Sequence, residues 1–144
     1  MRRGAVITAL ERMLSRVETV LPGNQPLREL LTRERPDAVI ITPLIALGSS
    51  QFDMLMAARQ MGVPSALAVG SWDHLSSKAL VRVAPDRVFV WNETQRQEAR
   101  TYHGIDPSRV VVTGAQCFDH WFDRSPAWGA DEFRARVGLP AGRP

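Results

Sequence analysis

Four short apolar runs constrain this chain more than anything else in it: AVIIT (residues 38–42), SALAV (65–69), RVFVW (87–91) and RVVVT (109–113). Each has the length of a strand, and none alternates polar with apolar as a half-wetted strand does. Unbroken runs of this kind belong to strands buried on both faces, the situation in parallel sheets covered by helices. The segments between them are long enough for right-handed crossovers. The pattern predicts an α/β fold, an open, doubly wound parallel sheet of Rossmann-like type with about four strands and crossover helices.

The crossovers carry helix punctuation. Ser50-Gln51-Phe52-Asp53 reads as a capping box opening a helix that runs to Met61 and stops at Gly62. Asn92-Glu93-Thr94-Gln95 repeats the device, with Asn92 as cap, Gln95 reaching back, His103 in the last turn and Gly104 just beyond. A short helix near Pro26 buries Leu27, Leu30 and Leu31. Further upstream, Val6, Leu10, Met13, Leu14, Val17, Val20 and Leu21 recur at spacings of three and four, one helical stripe. Its expected role is packing on the core. Arg2, Arg3, Arg12 and Arg16 flank it and suggest a peripheral membrane contact, which Glu11 and Glu18 dilute.

Composition excludes several classes of function. The net charge of +3 comes from 17 Arg and a single Lys scattered among 15 acidic residues, with no basic run or stripe, so no nucleic-acid partner is expected. One cysteine, Cys117, allows no internal disulfide, and with three His it predicts no metal site. Cys117 has no base beside it in sequence and reads as inert. The setting is a reducing cytoplasm, with no membrane-spanning run and no signal-peptide core. No glycine-rich phosphate loop occurs, and no cofactor is expected. The chain opens without a leading strand and closes on Gly138-Leu139-Pro140-Ala141-Gly142-Arg143-Pro144, so the expectation is a fragment of a larger protein.

In an open parallel sheet, ligands sit beyond the carboxyl ends of the strands. That rule selects the loops Pro43 to Ser50, Ser71 to Lys78, Asn92-Glu93 and Gly114 to Asp119. The second loop, GSWDHLSSK from Gly70, is the richest. Asp73 and His74 are its candidate catalytic pair, an adjacent carboxylate and imidazole able to take a proton from a hydroxyl. Ser71, Trp72, Ser76 and Lys78 are candidate substrate-binding residues, together with Ser49, Ser50, Asn92, Glu93 and Gln116. Each also has a plainer role to play, as helix cap, first-turn acid or solvated loop residue. His103 and His120 read as a helix C-terminal residue and a surface residue.

The stretch PDRVFVWNETQRQEARTYHGIDPSRVVVTGAQCFDHWF, residues 85–122, resembles the junction region of two-domain GT-B glycosyltransferases. Their relatives include the UDP-N-acetylglucosamine 2-epimerase and CDP-glycerol glycerophosphotransferase groups. The likeness lies in a strand ending at a polar turn with Glu93, a helix ending at Gly104-Ile105, and a strand followed by Thr113-Gly114 and Asp119. Pro36 to Thr42 and SWDHLSSK from Ser71 fit the preceding strands. The resemblance covers about two thirds of the chain and implies a partial N-terminal, acceptor-side domain over residues 1–122. Residues 123–144 would lead toward a second domain.

It further implies transfer of a sugar, without an obligatory metal, from a nucleotide-sugar donor held mainly by that second domain to an acceptor glycan or lipid-linked substrate. The location would be cytoplasmic, at the inner face of the membrane, and the fragment alone would be inactive. The alternatives are an epimerase-like or glycerophosphotransferase-like enzyme, and a non-enzymatic binding or signalling module. A receiver-type module needs clustered acids after an early strand, where this chain has Thr42-Pro43-Leu44.

Overall fold

The four apolar runs are all strands, each shorter than its run: β1 (Val39–Ile41), β2 (Ser65–Ala68), β3 (Arg87–Val90) and β4 (Val110–Val112). The computed structural model describes residues 6, 7, 9, 10, 13, 14, 16, 17, 20, 24–43, 49–78, 80–140 and 142, in two units, Met1–Gly114 and Ala115–Pro144. All three strand pairings are parallel, and the sheet order is β1-β2-β3-β4. The order advances in one direction, as it does within one half of a doubly wound sheet. The chain is therefore an α/β protein with an open, Rossmann-like parallel sheet.

The register explains where the core lies. Ile41 stands opposite Leu67, Leu67 opposite Val88, and Val88 opposite Val110, so one side chain from each strand forms a row across a single face. All four are buried. Helix α2 (Ser50–Gln60) and helix α3 (Glu93–His103) cover that row with Leu55, Met56 and Ala99. Helix α1 (Gln25–Glu34) sets Leu31 against Ala57 and Ala58 of α2, with Leu27 and Val39 beside them. Each fully buried Leu, Ile or Val contributes about 1.5–3 kcal/mol relative to an exposed one, so this face dominates the stability of the sheet.

The other face differs from the expectation that the strands are buried on both sides. Its residues include Ile40, 66% exposed, and Val111, 42% exposed, with Phe89 half-buried between them. The reason is topological: in the described residues the helices that touch the sheet all pack on the Ile41 face. The N-terminal stripe also departs from its expected role. Its described residues are helical, but Val6, Leu10, Met13, Leu14, Val17 and Val20 are 51–82% exposed and do not join the core. Leu21 lies outside the described residues. No helix of the described residues is long and apolar enough to cross a membrane.

Two local readings shift in position. The cap of α2 is Ser49, whose hydroxyl accepts from Gln51 N–H at 3.2 Å, and Ser50 is already the first helical residue. The β2–β3 crossover contains no α-helix among its described residues, only one π-turn (His74–Lys78) before an irregular, bent segment that leads into β3. Its far end is pinned by Asp86, which accepts from the N–H and the hydroxyl of buried Ser65 at 2.9 and 3.0 Å. These bonds hold the Asp86 carboxyl below its usual range.

The second unit holds a 3-10 turn (Gln116–Trp121) and helix α4 (Ala130–Val137), and none of its described residues is buried. Its rings stack on one another and on cations instead: Trp128 on Phe133, Arg136 over Trp128 and Arg124 over Trp121.

Candidate functional site

The loop after β2 leaves the sheet through Gly70, where a side chain would be tight against one neighbour. A Cβ there would sit 3.1 Å from Thr42 Oγ1, at the end of β1, and 3.6 Å from His74 Cε1. The glycine lets the Thr42 hydroxyl at the end of β1 approach closely, with the His74 ring in ordinary contact distance beside it. Thr42 is exposed there, one residue before the candidate loop that starts at Pro43.

Beyond Gly70 the chain folds around one carboxylate. Ser71 Oγ donates to Asp73 Oδ1 at 2.6 Å, and Lys78 Nζ lies 3.1 Å from Asp73 Oδ2. The Ser77 N–H donates to the Asp73 carbonyl at 3.1 Å, joined by the Ser77 and Ser76 hydroxyls at 3.2 and 3.4 Å. The Asp73 side chain keeps only 18% of its surface exposed. The Ser71 hydroxyl first, then the Lys78 ammonium, hold its carboxyl below the usual carboxylate range. Asp73 is therefore ionised near neutral pH and a weak base, with both oxygens occupied.

His74 is its opposite. The ring is half-buried, and among the described residues no group bonds either of its nitrogens. Burial pushes its pKa down, while the Asp73 charge pulls the other way and Lys78 adds to the fall. The imidazole is neutral near pH 7, with its proton-accepting nitrogen unbonded among the described residues.

Two residues of α3 set this loop in place, and neither stood among the candidates. Gln95 is 2% exposed. Its N–H donates to the Asn92 side chain at 2.9 Å, as the capping box requires. Its side-chain oxygen accepts from Trp91 N–H at 2.8 Å, and its amide nitrogen donates to the Ser71 carbonyl at 3.0 Å, across to the next loop. His103, at the other end of α3, accepts the Val81 N–H on Nδ1 at 3.1 Å. Its Nε2 lies 2.8 Å from the Leu75 carbonyl, so Nε2 carries the proton and donates. One helix thus grips the crossover at both ends. A buried glutamine at the third helical position was the one sequence sign of the first grip; the second left none.

The remaining candidates scatter. Ser49 and Ser50 start α2, and the hydroxyl of Ser49 is spent on its own cap. Trp72 points outward, 74% exposed. Asn92 caps α3, and Glu93 pairs with Arg96 at 3.4 Å on the surface. Gln116 and Cys117 are exposed residues of the second unit. Ser76 and Lys78, with Ser77, line a cavity of about 300 Å³ between the π-turn and the end of α3. Among the described residues no group of three His, Cys, Asp or Glu is arranged to hold a metal.

Comparison of the chain with protein-family models, with curated proteins and with solved structures gives no match.

Proposed function

We propose that this chain supplies the acceptor side of a group-transfer enzyme in which His74 is the general base. An acceptor hydroxyl, on a glycan or a lipid-linked substrate, lies over the end of β2 within reach of the free His74 nitrogen. As its oxygen attacks the anomeric carbon of a nucleotide sugar held by a donor-binding domain, its proton passes to His74. The bond from that carbon to the donor phosphate breaks, and the nucleotide leaves with the electron pair. Asp73 is a positioning residue: its fixed charge lies next in sequence to the imidazole and favours the imidazolium that forms.

The observation that carries this reading is the contrast between neighbours. A carboxylate with both oxygens occupied stands next to an imidazole whose nitrogens have no partner among the described residues, at the strand ends where ligands of open α/β sheets bind. That contrast favours His74 over Asp73 as the base.

The test is kinetic, in the enzyme that joins this domain to its donor-binding domain. His74→Ala is expected to lower the transfer rate by about a hundredfold or more, the usual contribution of general base catalysis. Asp73→Asn is expected to act less on the rate and to lower the pH at which activity rises. A His74→Ala rate within about tenfold of wild type rejects the assignment. Incubation with a nucleotide sugar alone separates the epimerase-like alternative, which needs no acceptor to form product.

A further inference from the structure

The cavity under the π-turn has two kinds of wall. One is apolar: Leu75, with Leu80 and the Tyr102 ring, the last two 60% and 59% exposed although they face a concave surface. The other is polar: the Lys78 ammonium, with the Ser76 and Ser77 hydroxyls, which donate to the Asp73 carbonyl. No acidic side chain is among its lining residues, and His103 at its edge has both ring nitrogens engaged. Its volume of about 300 Å³ is that of a small-ligand site.

From these walls we infer that the cavity binds a small amphipathic anion, a phosphate monoester or carboxylate carrying one apolar group. The apolar group fills the space between Leu80 and Tyr102, and the anion meets Lys78. An ammonium has three donors, and Asp73 engages one face of it at 3.1 Å, so Lys78 serves a second anion without abandoning the first. Sharing has a consequence for the loop. Lys78 is one of the two groups that hold the Asp73 carboxyl low, so an anion on Lys78 raises the basicity of Asp73. The site is distinct from the space beside His74 and stands whether or not His74 is a base.

The probe is phenyl phosphate, with inorganic phosphate and phenol as its two halves, followed by amide proton–nitrogen spectra of this chain. Saturable shifts confined to Ser76, Ser77, Lys78, Tyr102 and His103 are expected with phenyl phosphate at millimolar concentration, and weaker binding with either half. Lys78→Met is expected to weaken binding by about tenfold or more, the worth of one charge-assisted hydrogen bond, and the Asp73 carboxyl is expected to titrate higher with the probe bound. No saturable shift at those amides overturns the proposal, as does inorganic phosphate binding as tightly as phenyl phosphate. Should Lys78→Met not fold, Tyr102→Ala changes an exposed ring and decides the matter: unchanged affinity for phenyl phosphate overturns it.

Discussion

The covered face of the sheet and the β2–β3 crossover lie side by side in one unit and share one apolar cluster, but the crossover adds long-range side-chain hydrogen bonds to its packing. The face is a continuous apolar layer in which Ile41, Leu67, Val88 and Val110 share one row under Leu55 and Met56. Loss of one member leaves the others in contact. The crossover packs Leu75, Val81 and Val83 into the same apolar cluster and adds a few polar bonds that join residues far apart in sequence, such as Gln95 to Ser71 and His103 to Val81 and Leu75. Packing distributes stability over many contacts, whereas the geometry of the site is concentrated in a handful of donors and acceptors.

The sharpest way to break that comparison is a pair of apolar truncations. Leu55→Ala, at a position 1% exposed, is expected to cost about 2–5 kcal/mol. Ile40→Thr, on the open face of the same sheet, is expected to stay within about 0.5 kcal/mol. Chemical denaturation of both variants checks the difference. Equal costs would mean that the Ile40 face is covered in solution.

Gln95→Leu tests the crossover side. It keeps the volume of the side chain and removes both of its amide bonds, the one from the Trp91 N–H and the one to the Ser71 carbonyl. An orphaned buried group costs about 1–3 kcal/mol, so a loss of about 2 kcal/mol is expected after the gain from apolar burial. Hydrogen exchange distinguishes this from a general weakening: amides of the loop from Ser71 to Lys78 are expected to lose protection before those of β2 and β3. Uniform loss across the sheet would place Gln95 with the core instead.

The same contrast decides what was legible in the sequence. The four strands and the ends of α3 follow from chemistry a few residues long: β-branched runs, Asn92 as a cap, and Gly104 in the left-handed region. These are local signals, and local signals survive folding. The uncovered Ile40 face was not legible, because an unbroken apolar run is the same string whether one face or two is covered. Nor were the grips of Gln95 and His103, since each depends on a partner more than 20 residues away whose position only the assembled sheet fixes. Asp73 and His74 are adjacent in the sequence, but the difference in their surroundings was not legible, because it arises from Ser71 and Lys78 closing on Asp73.

The smallest expected effect sharpens that difference. Burial lowers the His74 pKa in the folded protein below its ordinary 6.5. In the interval between the two values the unfolded chain binds more protons than the native one, so stability is full above about pH 6.5 and declines as pH falls through that interval. Asp73 works in a separate window: its lowered folded pKa gives stability that is present above 3.8 and lost only as pH falls below it. A denaturation midpoint followed from pH 8 to pH 5 is therefore expected to drop through His74 alone among these two residues. His74→Gln is expected to flatten the curve near pH 6 while Asp73→Asn leaves most of that slope in place. A slope carried by Asp73 in that range would mean that its carboxyl is not held by Ser71 and Lys78 in solution, and the free imidazole would then lose its claim to be the base.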